Sequence, residues 1–192
     1  MAWWGWVLIV IIMVIVGAWA WTYAARIDRL HRRIASARFG LDRHLVRRNA
    51  EALRIADFLA LPLDDQEKVK AAAARALAAA EYPLAPDNLG GLATTQMGTA
   101  AVSERRSAES ALSRALREAL TPEIREAFAA DPLGAVQLQA LDDTAYRVAL
   151  ARTLHNQDVK QVQRLRSLPW VRLLHLSGRA PWPEYVDIDD QL

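Results

Sequence analysis

Residues 2–25 read AWWGWVLIVIIMVIVGAWAWTYAA and contain no Asp, Glu, Lys or Arg. As an α-helix this stretch would measure roughly 36 Å, which exceeds the roughly 30 Å hydrocarbon core of a membrane. Aromatic side chains stand at both of its ends, as is typical of the two membrane interfaces. They are Trp3, Trp4, Trp6, Trp19, Trp21 and Tyr23. The sequence therefore predicts a transmembrane anchor over residues 1–25.

Four arginines follow the apolar stretch directly, against one acidic residue, Asp28. They are Arg26, Arg29, Arg32 and Arg33. The positive-inside rule places such a flank in the cytoplasm. A cleaved signal peptide is the alternative, but signal peptides carry basic residues before the apolar core, and here none precedes it. We therefore expect a single-pass protein of the cell membrane with its N-terminus outside and its C-terminal domain in the cytoplasm.

The remainder of the 192-residue chain carries all 24 basic and all 22 acidic residues. A net charge of +2 is too small to indicate a nucleic-acid-binding protein. The absence of cysteine excludes disulfides, thiolate metal sites and cysteine nucleophiles. The composition is therefore that of a membrane anchor followed by a water-soluble domain.

Beyond the anchor, apolar residues recur at intervals of three and four, which is the period of one helix face. They are Ile27, Leu30, Ile34, Ala37, Leu41 and Leu45. No proline occurs before Pro62, so we expect the transmembrane helix to continue unbroken into the domain and to end near Leu59 to Leu61. A second helix would begin at a cap formed by Asp64 or Asp65 and would end at Pro83.

Residues 83–102 combine two prolines, three glycines and three threonines with one charge, which predicts a loop. A third helix would begin at a Ser103 cap. Thr121 and Asp131 each precede a proline, and this pattern is typical of an N-cap followed by a first-turn proline. Two further helices are therefore expected, and the second of them would cover about Leu133 to Leu168.

These elements predict an all-α protein. Its N-terminal transmembrane helix would continue into an elongated antiparallel bundle of three to four long helices over residues 26–178. Residues 179–192 would form an acidic C-terminal tail with Glu184, Asp187, Asp189 and Asp190. Because the tail lacks the glycine and terminal glutamate of a calcium loop, it is interpreted as a solvated end.

The sequence predicts no catalytic, metal or cofactor site. The histidines have no second ligand at metal spacing; they are His31, His44, His155 and His175. His155 falls near the apolar seam of its helix and is expected to be a hydrogen-bonded structural residue. No acid, base or nucleophile set converges at a recognisable spacing, so we do not expect an enzyme.

Several polar residues fall close to apolar seams of the predicted helices, namely Asp42, Arg47, Arg48, Arg152 and Asn156. Buried polar groups are costly when unpaired, so these side chains are expected to fix helix register through inter-helix hydrogen bonds. Binding of a partner is the alternative role. Arg43, Arg47, Arg48 and Arg54 lie too far from the membrane for its headgroups, so carboxylates on neighbouring helices are their expected partners.

Residues 41–49, LDRHLVRRN, resemble the Ile-Asp-x-x-Leu-x-Arg-Arg motif of the LemA family of membrane-anchored bacterial proteins. The matching positions are Asp42, Leu45, Arg47 and Arg48. AESALSRAL at residues 108–116 and the stretch at 138–159 resemble later helices of that family in the same order. The matching positions there include Ala151, Arg152, Asn156 and Val159.

The chain departs from the family pattern at three places. Residues 49–54 read NAEALR where the family has Asp-Leu-Ile-Pro-Asn-Leu. His155 replaces a tyrosine, and Val162-Gln163 replaces a Tyr-Asn pair. The resemblance implies an N-terminal anchor and an elongated helical bundle, and it implies no reaction.

The expected function is a non-enzymatic, membrane-tethered scaffold or adaptor whose bundle binds a protein partner near the membrane. The lipid bilayer is its other expected partner. The alternative is a self-associating structural protein of membrane organisation. Gly5 and Gly17 form no G-x-x-x-G motif, so a homo-oligomer would have to form through the bundle.

Overall fold

The computed structural model describes residues 3–58, 60–86, 96–178 and 180–191. The helices in these ranges are α1 (Trp3–Ala56), α2 (Leu63–Ala78), α3 (Gln96–Ala119), α4 (Pro122–Ala130), α5 (Pro132–Arg166) and α6 (Pro169–Leu173). No β-strand occurs within the described ranges. The prediction of an all-α protein is confirmed.

α1 is one continuous helix of 54 residues whose two halves have different surroundings. In the first half the side chains from Trp3 to Val16 are exposed. Among the described ranges, α1 is the helix that is long and apolar enough to cross a membrane. The second half buries one face, which comprises Ile27, Ile34, Leu41, Leu45, Ala52 and Ile55. The predicted continuation of the apolar helix into the domain is confirmed.

α1 ends at Ala56, a few residues before the predicted end near Leu59 to Leu61. Tighter turns replace the helix there. The Phe58 N–H donates to the Ile55 carbonyl at 3.0 Å, and the Leu61 N–H donates to the Phe58 carbonyl at 3.2 Å. The proline therefore follows a turn and does not itself end the helix.

α2 begins at Leu63, directly after Pro62, and no side chain caps it. The predicted cap at Asp64 or Asp65 is therefore wrong. Both carboxylates lie inside the first turn, where the partial positive charge of the helix N-terminus favours acidic side chains. A 3₁₀ turn at Ala79–Glu81 extends α2.

α3 begins at Gln96, so the predicted loop over residues 83–102 is wrong from residue 96 onward, and the predicted cap at Ser103 is wrong with it. Residues 87–95 of that loop lie outside the described residues. Helix propensity is a weak guide where tertiary packing competes with it. Here the packing of Val102, which is 3% exposed, favours the helix over the nearby glycine and threonines.

Two of the predicted helix starts are confirmed. Thr121 Oγ1 accepts from the Ile124 N–H at 3.4 Å, and the Asp131 carboxylate accepts from the Gly134 N–H at 2.7 Å. Each cap is followed by a proline, whose missing N–H costs nothing in the first turn of a helix. The helix that starts at Asp131 is α5, which matches the predicted long helix closely.

The domain is held together by contacts between distant helices. α5 packs along the second half of α1, α2 packs against both α1 and α3, and α4 packs against α5. At the end remote from the apolar half of α1, the rings of Phe58 and Phe128 stack at 4.7 Å in the largest apolar cluster. At the other end, Ile34 packs with Val159 and Val162.

The segment over residues 180–191, which we call the strap, is extended and packs on the helices. Val186, Ile188 and Asp190 are buried, whereas Asp187 is exposed and Asp189 is half-buried. This alternation is that of an extended chain with one buried face. The prediction of a solvated acidic end is therefore wrong, because two apolar side chains at alternate positions anchor the segment.

Candidate functional site

The strap lies in a groove between α3 and α5. Side chains on both helices bond to it: Arg106, Ser110, Ser113 and Arg117 on α3, and Arg152, Asn156, Gln163 and Arg166 on α5. Leu41 and Leu45 of α1 share an apolar cluster with Val186 and Ile188 and form the floor of the groove. The strap runs along α3 in the same direction and along α5 in the opposite direction.

Asn156 holds the middle of the strap by its main chain. Its Nδ2 donates to the Val186 carbonyl at 3.0 Å, and its Oδ1 accepts from the Val186 N–H at 3.0 Å. A side-chain amide thus satisfies both backbone groups of one residue, as a neighbouring strand would. Because these bonds involve backbone atoms, they can hold any residue other than proline at this position of an extended segment.

Other groove residues also bond to the strap backbone. Arg106 donates to the Tyr185 carbonyl at 2.9 Å, and Gln163 donates to the Pro183 carbonyl at 2.9 Å. Arg166 donates to the Ala180 carbonyl at 3.0 Å, and its guanidinium lies 5.0 Å from the centre of the Trp182 ring. Burial lowers the pKa of Arg166. The groove therefore contacts the main chain along nearly the whole strap.

The C-terminal end of the strap is held through its carboxylates. Arg152 and Asp190 form a bidentate pair with distances of 2.6 and 3.0 Å, and Asp190 is buried. Arg117 and Asp189 form a second, more exposed pair with distances of 2.7 and 3.3 Å. The hydrogen bonds from Arg117 lower the pKa of Asp189. Bidentate pairing selects planar carboxylates, so this end of the groove favours two successive acidic residues.

A buried ion pair supports the groove from below. Arg48 and Glu109 are both fully buried, and their Nη2 and Oε2 atoms are 2.9 Å apart. Arg48 also donates to Ser113 Oγ at 2.9 Å, and that hydroxyl lies 2.7 Å from the Asp189 carbonyl, to which it donates. Burial raises the pKa of Glu109 and lowers that of Arg48. A chain of hydrogen bonds thus connects the domain interior to the strap.

The predicted polar positions divide into several groups. Arg48 meets a carboxylate on a neighbouring helix, and Asp42 pairs with Arg105 of α3, as expected for inter-helix contacts. The same prediction is wrong for Arg47 and Arg54, which are exposed and both contact Glu51 on their own helix, at 4.0 and 2.7 Å.

The prediction of inter-helix bonds is also wrong for Arg152 and Asn156, whose partners lie in the strap. The acidic residues of the strap predict a solvated end, so the sequence indicates no partner there for Arg152 or Asn156. The remaining groove residues were missed altogether. The signal that could have revealed the site is the alternation of Val186 and Ile188 with acidic residues.

Some of the predicted membrane-interface residues are exposed, and others form ion pairs. Arg26 and Arg29 are exposed. Arg32 pairs with Asp28 one turn away at 2.9 Å. Arg33 pairs at 2.9 Å with Asp158 on α5, so it connects two helices. The aromatic residues at the start of α1, Trp3, Trp4 and Trp6, are exposed, as is Trp21.

The second aromatic group contacts the domain. The Trp19 ring lies 4.6 Å from the Tyr23 ring and 6.2 Å from the ring of Trp170 on α6.

Two of the histidines are buried in the domain. His155 is fully buried, and the Nδ1 atom of His31 lies 2.9 Å from the Ile27 carbonyl oxygen. Within the described ranges, no group of three His, Cys, Asp or Glu side chains could hold a metal ion.

Comparison of the chain with protein-family models, with curated proteins and with solved structures found no match. The resemblance to the LemA family stays a prediction.

Proposed function

We propose that this protein is a non-enzymatic adaptor tethered to the membrane. α1 anchors an elongated antiparallel bundle of α1, α2, α3 and α5, and the groove binds an extended acidic segment of a protein partner. In the free protein the strap occupies the groove as an internal ligand. The carrying observation is that groove side chains bind the strap mainly through its backbone and two successive carboxylates.

This contact pattern supports a recognition site over a purely structural seam. Main-chain hydrogen bonds give affinity for any extended segment, and side-chain pockets add specificity. Here the pockets would take two apolar residues at alternate positions, which Val186 and Ile188 now fill. Arg152 and Arg117 would take the acidic pair that follows. A partner segment with the pattern apolar-x-apolar-acidic-acidic would make the same contacts.

A shallow depression adjoins the strap and is lined by Asp190 together with Asp142, Ala145, Tyr146 and Ala149 of α5. A partner segment with a larger side chain at the position of Asp190 or next to it would fill this depression and gain contacts on α5. Such contacts would let it compete with an internal ligand of much higher effective concentration.

The adaptor can be tested with the full chain in nanodiscs. A protease site inserted next to Gly178, an exposed residue with a φ of +54°, would allow the strap to be cut from the folded protein. A fluorescent peptide of residues 180–192 should then bind saturably. Arg152→Ala and Asn156→Ala should weaken this binding, whereas Thr153→Ala, on the exposed side of α5, should not.

A peptide that fails to bind the cut protein, while circular dichroism shows the helices unchanged, would contradict the proposal. Equal binding of a peptide with the reversed sequence would also contradict it, because the order of apolar and acidic positions would then be irrelevant.

We propose further that the bundle faces the cytoplasm. The exposed Arg26 and Arg29 next to the apolar half of α1 support this orientation through the positive-inside rule. A reporter that fluoresces only in the cytosol, fused after Leu192, should give signal. Signal from a reporter that is active only outside the cytoplasm would contradict the orientation.

Self-association is the second candidate, and the strap gives it a specific route. Two copies could exchange straps, since exchange of one element between identical chains costs few contacts. Light scattering of the detergent-solubilised protein distinguishes the two functions. Exchange predicts a dimer that dissociates when the strap is cut, and the adaptor predicts a monomer before and after cutting.

A further inference from the structure

A second surface lies at the membrane end of the domain, away from the groove. α6 and the residue after it expose three large apolar side chains: Leu173 is 79% exposed, Leu174 45% and Trp170 39%. Val171 on the opposite face of α6 is 1% exposed and attaches the helix to the domain. α6 and the residue after it therefore bury one apolar side chain against the domain and leave three others exposed.

The position of α6 along α1 indicates what that face meets. The Trp170 ring lies 6.2 Å from the ring of Trp19, which itself lies 4.6 Å from Tyr23. Trp19 and Tyr23 stand at the end of the apolar half of α1, where aromatic residues mark the membrane interface. Because the Trp170 ring lies next to that of Trp19, α6 would lie at the depth of the lipid headgroups and of the first acyl carbons when α1 crosses the bilayer.

We propose that α6 is a second membrane contact, with Trp170, Leu173 and Leu174 inserted into the interfacial layer of the bilayer that α1 crosses. This inference rests on the proposed membrane anchoring by α1. Arg172 is exposed on the same short helix, where its guanidinium can reach phosphate groups.

A helix of this length could not hold a protein on a membrane alone, since interfacial binding scales with the buried apolar area. Here α1 already holds the domain at the surface, so insertion of α6 is an intramolecular step at high effective concentration. Two contacts that are separated in space define an orientation, which one helix cannot do. α6 would therefore fix the rotation of the bundle about α1 and the direction in which the groove faces.

The chain has no cysteine, so single cysteines can carry spin labels without further changes. We suggest labels at Leu173, at Val10 within the apolar half of α1, and at Leu133, which is 61% exposed at the start of α5. The protein would be reconstituted in vesicles of phosphatidylcholine with phosphatidylglycerol. Power saturation would compare collisions with oxygen, which concentrates in lipid, and with a water-soluble nickel chelate.

The label at Leu173 should shift toward oxygen, as at Val10, and the label at Leu133 should favour the nickel chelate. If Val10 lies in lipid and Leu173 behaves like Leu133, the inference about α6 is wrong while the anchoring stands. If Val10 itself favours the nickel chelate, the anchoring is wrong. Shielding of Leu173 from both reagents would mean that protein covers α6, which also overturns the inference. A label at Leu174 should repeat the result for Leu173.

Discussion

The apolar half of α1 and the strap satisfy their backbones in opposite ways. The helix bonds its own N–H and C=O groups, and its side chains are exposed. The strap has almost no internal hydrogen bonds, and groove side chains bind its backbone instead. A segment that forms all its backbone hydrogen bonds internally can be placed in lipid, where no other hydrogen-bond partner exists. The proposed function adds that a partner chain can replace the strap in its groove.

The largest loss of stability is expected from substitution in the buried pair of Arg48 and Glu109, which lies beneath the groove. Arg48→Met would leave Glu109 buried without its cation, which costs about 3–5 kcal/mol of the free energy of unfolding. Urea unfolding of the full chain in mild detergent measures this loss. Arg48→Met with Glu109→Leu should recover much of it, because no unpaired charge remains.

The neighbouring arginine provides the matched control. Arg47 is 66% exposed and contacts Glu51 at 4.0 Å, so Arg47→Ala should change the free energy of unfolding by less than about 0.5 kcal/mol. Equal losses for the two single variants would contradict the account of the buried pair.

The difference between adjacent arginines also shows where sequence reasoning stops. Arg47 and Arg48 both fall near the seam of α1, and neither their type nor their spacing shows which is buried. The answer depends on Glu109, which is 61 residues away along the chain. The caps at Thr121 and Asp131 were predictable because all their partners lie within one turn.

The same reasoning explains why the anchor was predictable and the groove was not. The apolar half of α1 is recognisable from the composition of a single stretch. The strap has partners between 14 and 79 residues away, such as Arg166 and Arg106, and its acidic residues resemble a solvated end. Arg152 and Asn156 were identified as notable, but the element that they bind was not.

A substitution in α1 should separate the two regions. Ile12→Arg places a charge near the centre of the apolar half and should cost about 3 kcal/mol of membrane insertion. Alkaline extraction of membranes measures the inserted fraction, with Ile12→Leu as the control. Strap binding in detergent should not change, because Ile12 is exposed and far from the groove. Loss of strap binding would show that the regions are not independent.

A smaller effect is expected at the middle of the groove. Asn156→Ala removes both bonds to Val186 and should weaken strap binding by roughly 1–3 kcal/mol. The affinity of the cut protein for the strap peptide measures this effect. Unchanged affinity would mean that the apolar contacts of Val186 and Ile188 alone hold the strap.

The smallest effect is the pH dependence of the Arg117–Asp189 pair, which is solvent-exposed. The hydrogen bonds from Arg117 lower the pKa of Asp189 in the folded state from its usual 3.8. A group with a lowered folded pKa contributes stability above its unfolded pKa and loses it as the pH falls through the folded value. Strap affinity should therefore decrease below about pH 4. Arg117→Gln should reduce this dependence, and an identical pH profile for that variant would contradict the assignment.

Hydrogen exchange in the full chain tests most directly whether the strap is a replaceable ligand. The Val186 N–H is bonded to Asn156, and the Leu141 N–H lies within α5 in the main core. If the strap leaves the groove while the helices stay folded, Val186 exchanges through an opening with a smaller free energy and a weaker urea dependence than Leu141. We predict this result. Identical opening free energies and urea dependences at the two amides would show that the strap is released only on global unfolding, and would contradict the account.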